Sequence, residues 1–145
     1  MIPSMEQWVS NALIDTRVAR LGTVGADGAV RLVPICFAVV DGFVVSALDH
    51  KPKRTGQLRR FRDIAESGTA TVLVDHYEDD WSTLWWVRLD GEAQVVYEEP
   101  RRSLVLAPLI SKYAQYGESP PTGPVIVLTV RATTSWSAAA GRGSS

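Results

Sequence analysis

Met5, Trp8, Val9, Ala12 and Leu13 fall at i, i+3, i+4, i+7 and i+8, the spacing of a short amphipathic helix. Ser4 followed three residues later by Gln7 reads as a capping box at its start. From Arg17 the period of apolar positions drops from 3.6 to 2. Residues 18–24 are expected as a strand, Gly25-Ala26-Asp27-Gly28 as a turn and 29–40 as one long strand. Asp41-Gly42 between two apolar runs is a hairpin signal, with residues 43–48 as the returning strand. Residues 49–56 are polar and predict a loop. Residues 57–66 predict a helix with Leu58, Phe61, Ile64 and Ala65 on one face, stopped by Gly68. A strand at 69–75, an acidic loop at 76–80 and a long β stretch at 81–98 follow, the last bent or bulged near Asp90-Gly91. Residues 100–116 predict a helix with Pro at its start and Gly117 at its end. A proline-rich loop, 119–124, leads to a last strand at 125–133.

The order is helix, three strands, helix, two long strands, helix, strand. About six antiparallel strands in 145 residues favour a closed or partly closed barrel, because closure removes exposed edges. The expected class is mostly β (α+β), with helices capping or covering the barrel. One domain is expected over 1–137, with 138–145 a disordered tail of small residues. Hydrophobic residues make up 46% and charged residues 21%, with mean hydropathy +0.01, which is a globular composition.

A net charge of -1 supplies no global basic field for nucleic acid or acidic lipid. The single cysteine, Cys36, excludes an internal disulfide. No apolar run approaches the ~20 residues of a membrane span, and Glu6 and Gln7 precede any apolar run, unlike a secretory signal. A cytoplasmic protein is the simplest expectation.

Chemistry concentrates in three segments. The first, residues 48–62, carries Lys51, Lys53, Arg54, Arg59, Arg60 and Arg62, six of the fifteen basic residues. It stands where a strand ends and a helix begins, and a helix N-terminus attracts anions. Lys51, Lys53 and Arg54, crowded by Pro52, suit a phosphate that relieves their mutual repulsion. Arg59, Arg60 and Arg62 read as a solvated helix face. The second segment, residues 81–91, holds three of the five tryptophans. On a strand Trp85 and Trp86 point to opposite faces, so one can be core while the other needs a partner subunit or a planar ligand. In the third, residues 31–37, Pro34 blocks one ladder bond and implies an edge or a bulge, where free backbone groups can meet a flat heterocycle. Cys36 reads as a small buried residue rather than a nucleophile.

Other chemistries lack support. His50, His76 and Cys36 make no zinc signature, and no nucleophile elbow, Walker loop or dinucleotide fingerprint is present. The carboxylates Asp75, Glu78, Asp79 and Asp80 read as a solvated turn before a cation site. A nucleic-acid groove would interleave aromatics with the basic cluster, which contains only Phe61.

Together these segments resemble the pyridoxamine 5'-phosphate oxidase-like split-barrel superfamily, and more narrowly its small deazaflavin (coenzyme F420)-dependent oxidoreductases. The resemblance spans nearly the whole chain: the Asp27-Gly28 hairpin, the Lys51-Pro52-Lys53-Arg54 loop with Leu58-Arg59-Arg60, the strand at 71–75, the run from Trp85 to Gly91, and Trp136. It implies a six-stranded antiparallel split β-barrel of the FMN-binding type and a homodimer with cofactor at the interface. It further implies that Val33, Pro34, Ile35 and Cys36 line the ring system. Ala47, Leu48 and Asp49 would lead toward the phosphate, and Lys53 and Arg54 would bind it with help from Lys51. Trp86 falls where flavin-binding relatives often place a ring-contacting glutamine, which tilts the expectation from FMN toward F420. Trp136 is similar in placement to a cofactor-contacting tryptophan of the true oxidases; the arginine that accompanies it there is not placed on any residue of this sequence, which argues against vitamin B6 oxidation. No catalytic acid or base stands out, in keeping with hydride chemistry carried by the cofactor. FMN as cofactor, and a non-catalytic cofactor carrier, are the competing expectations.

Overall fold

The computed structural model describes residues 5–47 and 59–139, together with the backbone alone of 55–58. The apolar face at Val9 and Leu13 builds α1 (Gln7–Asp15), with Met5 and Trp8 packed against the same core. Glu6, not Ser4, is the N-cap and makes no side-chain cap bond, so the expected capping box does not open this helix. Instead the Glu6 carboxylate accepts a bond from Trp8 Nε1 at 3.2 Å.

Alternation then lays down β1 (Ala19–Val24) and β2 (Val30–Ile35), joined by the expected turn with Gly28 at φ +83°. The long strand expected through Val40 is broken: β2 stops at Ile35, and a separate β3 (Ala38–Val40) follows. Asp41 and Gly42, both at positive φ, turn β3 into β4 (Phe43–Ala47), as the hairpin signal implied. α2 (Thr55–Ser67) ends at Gly68, whose N–H reaches Ile64 O at 2.8 Å. β5 (Thr69–His76) and β6 (Trp85–Val96) flank a short 3₁₀ turn, Trp81–Thr83, so the β stretch expected from 81 begins four residues later. The helix expected over 100–116 is two: α3 (Arg101–Lys112) and α4 (Ala114–Glu118), parted at Tyr113. β7 (Val125–Ser137) runs four residues past its expected end.

The seven strands, one more than expected because of the break before β3, form a single antiparallel sheet in the order β2-β1-β5-β6-β7-β4-β3. β2 and β3 are consecutive in the chain yet stand at opposite ends of that order. Only Cys36 and Phe37 link them, a span of about 10 Å at most. The sheet therefore curls into a half-barrel whose two edges meet at that link.

Residues facing inward from β1, β5, β6 and β7 join Val9 and Leu13 of α1 and Phe61 and Ile64 of α2 in the main core. A second core lies outside β3, β4 and β7, where α3 contributes Leu106 and Leu109 and Tyr113 fills the end. Ala65, expected on the buried face of α2, is exposed, while Asp63 is 1% exposed. None of the described helices is long and apolar enough to cross a membrane.

β6 and β7 change register between Asp90 and Gly91: Asp90 faces Ala132, Gly91 faces Val130, and Arg131 is the extra residue. The expected irregularity at Asp90-Gly91 is thus a bulge on the facing strand. It reverses the alternation of β7. Ile126 and Leu128 point into the barrel before it, Ser135 and Ser137 are the buried residues after it, and Trp136 faces out. Ala138, assigned by composition to the tail, donates its N–H to Leu84 O at 3.0 Å.

Lys112 closes α3 in a crowded place. Its ammonium lies 3.9 Å from the Phe37 ring centroid and donates to Leu13 O at 3.2 Å. Burial first, and the Arg17 charge second, lower its pKa from 10.5 to about 8. Between those values the unfolded chain holds a proton that the folded chain releases, so stability rises with pH over that window. Burial raises the Tyr113 pKa, which acts in the opposite direction above about pH 10. Full sequestration of the amine would correspond to ~3 kcal/mol. Half-burial and the cation–π contact with Phe37, which favours the charged form, reduce the expected gain to about 1–2 kcal/mol. Urea unfolding at intervals from pH 8 to 10 should show this rise in wild type and its loss in Lys112→Met; parallel curves for the two would refute it.

Candidate functional site

The corner where the two sheet edges meet is held by side chains rather than by a ladder. Phe37 lies between β2 and β3, and its N–H donates to Tyr113 Oη at 3.0 Å. The Tyr113 hydroxyl donates in turn toward Arg17 O at 2.8 Å and Phe37 O at 3.0 Å, sharing one proton between two carbonyls. Ser46 Oγ donates to Cys36 O at 2.8 Å. Arg17 lies over the Tyr113 ring at 5.5 Å and donates to Lys112 O at 2.6 Å.

The residues singled out from sequence divide around this corner. Pro34 is exposed on β2, which is an edge strand, the first of the two alternatives, edge or bulge, that its missing N–H left open. Val33 faces inward and is half-buried against the main core, and Ile35 is buried there. Cys36 is half-buried and packs on the second core, which also holds Ala47 at the end of β4. The structure thus gathers Cys36 and Ala47 at one corner, with Ile35 beside Cys36 in the chain. Leu48, Asp49, Lys51, Lys53 and Arg54 lie outside the described residues. Of the helix arginines, Arg62 is exposed as expected, whereas Arg59 and Arg60 are half-buried. Phe61, the one aromatic of the basic cluster, is buried in the core and so is no platform for a base.

Trp85 and Trp86 face opposite ways, as a strand dictates. Trp85 packs inward, edge-on to Trp8 at 6.2 Å and stacked with His76 at 6.3 Å. Trp86 faces out, with the Arg88 guanidinium 6.0 Å from its ring centroid and Trp136 opposite it on β7. Across the outer face Trp86 pairs with Asp75, Asp75 meets Arg20 at 3.5 Å, and Arg20 pairs with Pro34. Trp86 and Pro34 thus stand three strands apart within one chain, about 14 Å across the sheet, with a further offset along the strands because Arg20 pairs with Leu73.

The same outer face carries an apolar trough of about 340 Å³, lined by Gly22, Val24, Val30, Leu32, Thr71 and Leu73 among others. Val30 and Leu32 are each 71% exposed. Gly22 keeps the trough tight, since a Cβ there would come within 3.2 Å of the Leu32 side chain.

Three features escaped the sequence reading. Asp63 accepts bonds from Arg31 at 3.0 Å and from Thr23 Oγ1 at 2.9 Å, tying α2 to β1 and β2. Its only signal is a carboxylate flanked by Phe61 and Ile64. The hydroxyls of Tyr113 and Ser46 left no signal, because their partners are backbone groups distant in the chain.

Two carboxylates of the acidic loop are bonded within it. Asp80 accepts from Ser82 N at 3.1 Å and Ser82 Oγ at 2.7 Å, and Glu78 bonds Thr83 and, at 3.0 Å, His76. The Thr83 hydroxyl, then His76, hold the Glu78 carboxyl below its ordinary pKa. Among the described residues no group of three His, Cys, Asp or Glu side chains is placed to hold a metal.

The family model described as pyridoxamine 5'-phosphate oxidase matches residues 5–137. No curated protein matches by sequence. Among solved structures the fold is similar to a conserved hypothetical protein from Mycobacterium tuberculosis, with TM-score 0.69 and 22% identity over 94% of this chain and 87% of that one. It is also similar to the heme storage protein HutZ from Vibrio cholerae, with TM-score 0.69 and 13% identity over 91% and 93%. A FAD-binding protein from Mesorhizobium loti is similar with TM-score 0.63 and 16% identity over 90% and 94%.

Proposed function

The chain belongs to the pyridoxamine 5'-phosphate oxidase family, and on that premise we propose that it is an F420-dependent oxidoreductase acting on a small conjugated or apolar substrate. The observation that carries this reading is the corner at Cys36 and Phe37. β2 is an edge strand, so one side of its backbone has no sheet partner among the described residues and suits the rim of a flat heterocycle. From the same corner β4 leads through Ala47 into the segment bearing Lys51, Lys53 and Arg54, and α2 opens directly after it at Thr55. Backbone N–H groups at a helix start and three cations fit a phosphate.

When bound, the deazaflavin supplies the hydride chemistry. The chain's own part is to anchor the phosphate through Lys53, Arg54 and Lys51, to seat the ring against Val33, Pro34, Ile35 and Cys36, and to exclude water with apolar walls. Trp86 stands three strands away from Pro34 within one chain. In this reading a second copy completes the site, its sheet seated on the trough that leaves Val30 and Leu32 exposed. FMN is the second reading, favoured by the family match itself.

Titration with F420 and with FMN, followed by absorbance, separates the two. Each charge-assisted phosphate contact contributes roughly 1.5–3 kcal/mol. Lys53→Ala or Arg54→Ala should therefore weaken binding roughly 10- to 150-fold, while Arg62→Ala, on an exposed site, should leave it unchanged. Unchanged affinity in both loop variants would defeat the phosphate assignment. Tight binding without turnover would make the protein a carrier. Light scattering at micromolar concentration should report two chains; a mass near 15.9 kDa would remove the second copy from the site.

A further inference from the structure

We infer that Tyr113 is a positioning residue for this site: its hydroxyl sets the backbone at the corner on which the cofactor ring rests. The inference depends on the cofactor reading above and adds to it a residue from α3's far end, 77 positions after Cys36 in the chain.

Phe37 sits where the sheet changes edge, and neither its N–H nor its C=O belongs to a strand ladder. Both are bonded by the one hydroxyl of Tyr113. A buried main-chain donor left unpaired is costly, so this bond dictates the direction of the peptide. The adjoining carbonyl, Cys36 O, is held by Ser46 Oγ from β4. Two hydroxyls from two different elements thus fix both residues of the link, and with them the end of β2 that carries Val33 to Ile35.

The tyrosine ring alone does not account for this. Tyr113 is 8% exposed within the second core, a place a phenylalanine would fill as well. The helix has given way to admit it: α3 ends one residue earlier, Tyr113 adopts φ -113° and ψ 117°, and α4 starts immediately after. Arg17 lies over the Tyr113 ring and Lys112 over the Phe37 ring, which holds both rings in place, and the hydroxyl's acceptors, Arg17 O and Phe37 O, both belong to this corner. A ring lying against the corner meets a backbone arranged in advance, which lowers the cost of binding.

The test compares Tyr113→Phe and Ser46→Ala with wild type, using F420 and FMN as probes and far-UV circular dichroism to check folding. Misplacement on the scale of one ångström costs up to ~100-fold. For Tyr113→Phe we expect about 10-fold weaker binding and an altered visible circular dichroism band of the bound cofactor, a signal that reports ring placement and that a change in global stability would not move. Ser46→Ala should shift both readouts in the same direction, and it decides the matter if Tyr113→Phe does not fold. Wild-type affinity and an unchanged band in the folded variants overturn the assignment while leaving the cofactor reading intact. A wild-type protein that binds neither probe overturns both.

Discussion

Gly91→Ala is expected to leave little folded protein at 37 °C. Gly91 lies beside the bulge where β6 and β7 change register, and a Cβ there would overlap the carbonyl oxygen of Thr129. The added carbon would also stand 2.9 Å from the Thr129 carbonyl carbon and 3.2 Å from Arg131 N. The obstacle is main chain in the middle of the longest ladder of the sheet, so no side chain can rotate out of the way. Overpacking ordinarily costs ~1–3 kcal/mol; moving this backbone should cost more than ~4 kcal/mol, a large part of the ~5–15 kcal/mol that stabilises a domain. The melting temperature should fall by more than about 10 °C. Gly28→Ala is the matched comparison: Gly28 has φ +83° but open space around its Cβ position, so it should cost only ~1–2 kcal/mol. If Gly91→Ala melted within about 3 °C of wild type, the close approach of the two strands would be wrong.

Asp63→Ala should produce the next largest loss, about 2–4 kcal/mol in urea unfolding. Asp63 is 1% exposed and its partner Arg31 is 27% exposed. Removing the carboxylate leaves the partly buried Arg31 guanidinium with Asp27, 3.7 Å away and largely exposed, as its remaining acidic partner and takes the acceptor from the buried Thr23 hydroxyl; breaking a buried pair costs ~3–5 kcal/mol when both partners are sequestered. Partial exposure of Arg31 and its remaining pairing with Asp27 bring the expected loss below that range. Pairing the change with Arg31→Met should recover about 1–3 kcal/mol as a coupling energy. Additive losses in that cycle would show the two side chains to be energetically independent. The same variant should weaken cofactor binding, because α2 follows directly on the segment bearing Lys53 and Arg54.

Much of the architecture was legible in the chain because it rests on local signals. The Asp41-Gly42 turn requires positive φ at both positions, which few residue pairs adopt, and both adopt it. Gly68 stops α2 for the same reason. Period-2 patterning placed strands wherever one face is buried and marked the irregularity at Asp90-Gly91. Pro34 narrowed its strand to an edge or a bulge, since a regular central position would lack a ladder bond, and β2 is an edge. The opposite facing of Trp85 and Trp86 follows from the pleat alone.

What the pattern missed depends on contacts between distant segments. The break at Cys36 and Phe37 carries no turn residue; β2 and β3 part there because the sheet must change edge, which only the closing of the half-barrel imposes. Tyr113 leaves its helix to reach a carbonyl and an amide 76 residues away, so a continuous helix from 100 to 116 was the natural local reading. Asp63 displaced Ala65 from the buried face of α2 because Arg31 and Thr23 wait for it on β1 and β2. Trp136 faces outward, opposite Trp86, because one extra residue at Arg131 reverses the alternation of β7. The sequence by itself determined the turns, the strand segments, the missing ladder bond at Pro34 and the cluster of cations before α2, each from backbone preference or charge within a few residues. Tertiary structure decided which strands became edges, which way the late strand faces, and which side chains hold the corner, because strand register and sheet closure arise from the whole chain packing at once.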